Sequence, residues 1–131
     1  MKLTSTIARI LLGVLFLVFG LNGFLQFIKL PPPTGAAAQF MGALFVSHEI
    51  VVIMALQVIV GVLLLVNRFV PLALFLLAPV IVNIVLFHAF MAPEGLPMAL
   101  IASVLWVLTA LSVRGVFKEL VQPRTTDSVA A

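Results

Sequence analysis

Asn83 and His88 stand inside VNIVLFHAFMAPEGLP, residues 82–97, an apolar run closed by Pro93 and Pro97. An amide offers a donor and an acceptor together, and an imidazole can exchange a proton near neutral pH. Asn22, Gln26, His48, Glu49 and Gln57 stand in apolar surroundings of the same kind. Together these seven side chains could form a pocket that hydrogen-bonds the polar head of a lipid-soluble ligand, with His88 or Glu49 relaying a proton. Ionisable groups in a spanning segment are functional candidates by default. The same residues also admit a structural reading. Interhelical hydrogen bonds worth about 0.6–2 kcal/mol each would hold the helices together, and Glu49 at a helix start would favour the N-terminal dipole.

Other chemistries lack their residues. SHEIVV, residues 47–52, begins like a zinc-protease HExxH helix, but Val52 occupies the place of the second histidine. The two histidines and the carboxylates come from separate segments without metal-ligand spacing, so no metal site is expected. There is no cysteine, hence no disulfide or thiol relay. No phosphate-binding loop or nucleophile elbow occurs. A net charge of +3, scattered between apolar segments, gives no nucleic-acid footprint.

The elements that must position these groups are membrane spans. Hydrophobic residues make up 64% of the 131 residues and charged ones 8%, with a mean hydropathy of +1.37; a soluble domain carries roughly a quarter charged residues. Four apolar stretches, about 7–28, 44–66, 69–91 and 98–117, approach the ~20 residues that cross a bilayer. The expected fold is an all-α transmembrane four-helix bundle in a single domain, residues 1–131, with the lipid bilayer as solvent. The first stretch is too long for a signal-peptide core and reads as a retained helix. Pro31, Pro32 and Pro33 should end it by about Leu30. Residues 36–45 could add a short interfacial helix, Pro97 suits the first turn of the fourth span, and Pro79 should kink the third. Gly13 and Gly20, seven apart, form a close-packing stripe.

Six of the seven basic residues, Lys2, Arg9, Arg68, Arg114, Lys118 and Arg124, fall on one side of these spans, against Lys29 on the other. The positive-inside rule then puts both termini in the cytoplasm. The candidate polar groups gather in the outer half, with Gln57 nearer the midplane. Asn22 and Gln26, four apart, share one helix face. Asn83 and His88 lie about 140° apart around theirs, so they could serve different neighbours.

The segments ARILLGVLFLVFGLNGFLQF, GVLLLVNRFVPLALFLLAPVIVNIVLFHAF and APEGLPMAL resemble the DoxX-like family of small four-helix membrane proteins, over about residues 7–120. GLNGF, NRFVPLAL and NIVLFH fall in the family's order. The resemblance implies a compact bundle in a bacterial cytoplasmic (inner) membrane. It also implies a link to redox or oxidative-stress assemblies, one member being associated with a thiosulfate:quinone oxidoreductase. Family members often carry a glutamate midway along the second helix, where this chain has Gln57, so proton-coupled chemistry there is not expected.

Three functions follow as expectations. The first is a non-catalytic subunit or scaffold of a membrane redox or stress-response complex, holding a quinone-like lipid as its one candidate cofactor. The second is a quinone-reducing oxidoreductase subunit with His88 or Glu49 as proton donor. The third is a small-solute transporter, whose cytoplasmic half would be lined by Thr109 and Ser112. A protein partner and a second copy of the chain are both candidate associates.

Overall fold

Apolar runs punctuated by a few left-handed residues set the elements. The computed structural model describes residues 2–124; Met1 and positions 125–131 of the expected domain lie outside the described residues. In chain order come α1 (Lys2–Leu25), α2 (Gly35–Ser47), α3 (Glu49–Leu65), α4 (Val70–Phe90), a 3₁₀ turn (Pro93–Gly95), α5 (Leu96–Ser112) and α6 (Arg114–Leu120). Helices α1 and α4 and the segment Pro93–Ser112 are long and apolar enough to cross a membrane. The pair α2–α3, bent by 89°, makes a fourth if counted as one span. The protein is an all-helical membrane protein.

Three expected boundaries move. The first helix stops at Leu25, several residues before the prolines, because Gln26 adopts φ 51° and its N–H donates to the Asn22 carbonyl at 2.9 Å. A left-handed residue at this position is a standard way to end a helix. The second stretch is broken at His48 (φ 65°), so residues 35–47 form a separate helix, close to the short one expected. The fourth stretch is interrupted at Val113, between α5 and α6. By contrast α4 continues through Pro79. The Leu74 carbonyl accepts the Trp106 indole N–H at 2.9 Å, tying α5 to α4.

Helix α1 packs antiparallel on α3 along a stripe of small residues. Gly13 meets Leu65 and Gly61, Gly20 meets Val58 and Gln57, and Gly23 meets Met54. Without Cβ atoms the backbones approach closely, which is how helices associate where lipid supplies no hydrophobic drive. Near one end Arg9 donates to the Leu64 carbonyl, a cation on the last turn of α3. The turn into α4 uses the left-handed residues Asn67 and Phe69, and the Arg68 N–H reaches back to the Leu63 carbonyl at 3.0 Å. That is the Schellman bond that satisfies an orphan carbonyl.

At this end Leu12, Leu64, Leu74 and Leu77 are fully buried in a continuous apolar core with Phe16, Val60 and Ala102. Outward, large apolar side chains such as Val52, Ile59, Val82 and Val104 are exposed. Such a surface suits hydrocarbon, not water.

Candidate binding cavity

The core does not fill the other half of the molecule. There, under the α1–α2 loop, lies a cavity of about 780 Å³ bounded by α1 to α5. Its walls are largely apolar, with Phe16 and Phe19 from α1, Met54 from α3 and Ile84 from α4. Met41 and Phe45 of α2 also reach it, because the bend at His48 lays α2 over this end. Four of the seven candidate residues line the cavity, namely Asn22, Gln26, Gln57 and His88.

Asn22 is committed to the loop. Its Nδ2 donates to the Ile28 carbonyl at 3.2 Å and its Oδ1 accepts the Ile28 N–H at 2.6 Å, so two hydrogen bonds latch the side chain to the Ile28 backbone. Gln26 lies beyond the helix end and is exposed at the rim. The shared helix face expected for Asn22 and Gln26 is therefore replaced by a terminator and its latch. Both sit on the cavity, held by the loop instead of by a neighbouring helix.

Gln57 is the deepest polar group. It is only 6% exposed, and its amide forms no hydrogen bond with any described residue. No sealed side-chain polar atom among the described residues lacks a partner, so the amide opens onto the cavity that it lines. A polar head entering the cavity could therefore hydrogen-bond it as both donor and acceptor.

His88 closes the wall from α4. Its Nδ1 lies 3.0 Å from the Ala92 carbonyl oxygen, Phe87 packs edge-on at 5.1 Å, and the ring rests directly on Gly95, where a Cβ would overlap it. Among the described residues Lys29 is the sole other ionisable group on the cavity, at its exposed mouth.

His48, Glu49 and Asn83 do not line it. His48 is an exposed, left-handed junction whose N–H donates to the Phe45 carbonyl at 3.2 Å. Glu49 is exposed in the first turn of α3, its N–H donating to Ser47 Oγ at 3.3 Å, and no ion pair joins it to His88. Asn83 points to the outer face of α4. The angle that separates it from His88 turns one toward the cavity and the other away. In the opposite half, the Thr109 hydroxyl donates to the Leu105 carbonyl at 2.8 Å and the Ser112 hydroxyl to the Thr109 carbonyl at 2.6 Å, so both serve their own helix.

Sequence reasoning missed Lys29, the methionines of α2 and α3, and Gly95. Gly95 alone carried a signal, since Pro93 and Gly95 in APEGLP mark a tight turn returning toward His88. No known family, curated protein or solved structure matches the chain.

Proposed function

We propose that the protein is a DoxX-like, non-catalytic membrane subunit that holds a quinone-like lipid within a membrane-bound redox or stress-response assembly. In this reading the chain is a transmembrane four-helix bundle of the bacterial cytoplasmic membrane. Both termini are cytoplasmic, and the cavity lies in the outer half. One observation carries the reading: Gln57, nearly buried and without a hydrogen-bond partner among the described residues, faces a largely apolar cavity whose volume falls within the ~300–1,000 Å³ usual for small-molecule sites. An apolar wall with few convergent polar groups fits a lipid with a small polar head. Gln57 and His88 would hold that head, and the bound lipid would supply two-electron chemistry that a cysteine-free chain does not carry itself.

A scaffold is preferred to an enzyme because, among the described residues, no carboxylate faces the cavity and Lys29 and His88 are its only ionisable groups. Asn83 supports association. Its amide lies on the exposed face of α4, about three residues or roughly 4.5 Å from the helix midpoint. There it would be costly against lipid and satisfied by a polar group of a partner helix or second copy. The oxidoreductase reading draws on His88 alone, whose ring borders the cavity. Turnover of a quinone analogue by the intact assembly, lost in His88→Ala with lipid still bound, would favour it.

The direct test is native mass spectrometry, with lipid extraction, of protein purified gently from its own membrane. A stoichiometric isoprenoid lipid that disappears in a folded Gln57→Leu variant is the expected result. Protein repeatedly recovered bare, with Gln57→Leu unchanged, would overturn the reading.

A further inference from the structure

The hydrogen-bond polarity of His88 restricts what the cavity can recognise. A carbonyl oxygen only accepts, so the Nδ1 that lies 3.0 Å from Ala92 O must carry a proton. In the neutral ring, Nε2 is then a bare lone pair. The ring is held in this sense by a T-shaped contact with Phe87 and by Gly95, which abuts it at Cε1 and Nδ1. Nε2 has no hydrogen-bond partner among the described residues, and His88 lines the cavity. A group that meets Nε2 of the neutral ring must therefore donate.

Gln57 supplies the second, independent constraint. Its amide is both donor and acceptor, opens onto the same cavity and has no hydrogen-bond partner among the described residues, so it accommodates an alcohol, an ether or a ketone equally. His88 does not. An ether or carbonyl oxygen at Nε2 sets lone pair against lone pair, whereas a hydroxyl has the proton that the site lacks. Charge narrows the class further. With no carboxylate on the wall and Lys29 only at the mouth, an anionic head would stay at the rim, while an uncharged head can descend to Gln57.

We infer that the cavity selects an uncharged lipophile with a free hydroxyl, an alcohol or phenol, over the same molecule with that oxygen alkylated or oxidised to a carbonyl. This inference rests on the lipid-site reading above and adds its selectivity. An isoprenoid hydroquinone and an acylglycerol share the required group, and lipid extraction from the native membrane distinguishes them. Either supports the inference, and a stoichiometric lipid without a hydroxyl opposes it.

The test compares 4-nonylphenol with its methyl ether, 4-nonylanisole, on the full chain in lipid nanodiscs near neutral pH. Affinity is read by native mass spectrometry, and the His88 ring nitrogens by ¹⁵N-histidine NMR. The phenol should bind about tenfold more tightly, the equivalent of one hydrogen bond, and should shift Nε2 but not Nδ1. His88→Phe should reduce the phenol to the affinity of the ether and leave the ether unchanged. The comparison of the two probes on the unaltered protein stands even if that variant fails to fold. Equal binding of both probes, with competition by Gln57→Leu-sensitive native lipid, would overturn the selectivity and leave the lipid site standing. Binding of neither would overturn both. Preferential binding of 4-nonylbenzoate, lost in Lys29→Gln, would replace the inference with an anion site at the mouth.

Discussion

Gly13 and Gly61 face each other across the α1–α3 contact: a Cβ on Gly61 would stand 2.9 Å from the Gly13 carbonyl oxygen, and one on Gly13 would stand 3.1 Å from that of Gly61. The two positions are not equivalent. A methyl at Gly61 also meets the Leu17 backbone nitrogen at 2.7 Å, whereas at Gly13 the nearest atom belongs to the flexible Leu65 side chain. Gly61→Ala should therefore destabilise the protein by about 1–3 kcal/mol, and Gly13→Ala by less. Thermal unfolding in one detergent, with both variants side by side, checks the order; a reversed order would mean that α1 shifts to accommodate Gly61.

Gln57→Leu should separate stability from binding. Replacing an amide that has no hydrogen-bond partner among the described residues should leave the stability of lipid-free protein within about 1 kcal/mol of the original while retention of the native lipid falls. If the variant is instead less stable, Gln57 holds the packing and the cavity is not its reason for being polar. Denaturation monitored before and after delipidation distinguishes the two.

Asn22→Leu removes both bonds to Ile28 and should cost about 1–3 kcal/mol. The damage should be local. Limited proteolysis is expected to cut between Gln26 and Pro33 sooner than in the unaltered protein, while hydrogen exchange in α3 and α4 stays the same.

Gly95→Ala should displace the imidazole of His88, because the added methyl overlaps the ring. The Nδ1 resonance should lose its hydrogen-bonded shift, and lipid retention should fall with it. An unchanged His88 spectrum would show that the 3₁₀ turn moves instead.

Asn83→Leu should weaken association while leaving cavity occupancy intact. Single-molecule photobleaching in native-lipid nanodiscs would count copies, and copurification would follow a partner. Unchanged assembly in both would assign the Asn83 face to lipid.

The spans could be read from the sequence because hydropathy over ~20 residues depends on composition alone. Their ends could not. Gln26 and His48 are neither glycine nor proline, and their left-handed φ values arise from what they terminate, the latch to Ile28 and the fold of α2 over the cavity. Spacing showed that Asn83 and His88 diverge but could not say which faces inward, since that depends on the α4–α5 contact fixed by Trp106 and Leu74. Gln57 was visible as a polar residue on the second span. Its lack of partners required the packing of α1, because only there does the Gly20 contact turn it toward the cavity.

The left-handed break at His48 shortens one wall of the protein. With 17 residues each, α3 and α5 rise about 25 Å, against about 31 Å for the 21 residues of α4 and about 36 Å for the 24 of α1. A hydrocarbon layer of about 30 Å must thin beside the short helices and accommodate the long ones by tilt. Set in a bilayer, a chain with helices of such unequal length would act as a wedge, deforming the membrane least where it is already thin. Lipid thickness would then help decide where in a membrane it gathers and how it is oriented beside a neighbour.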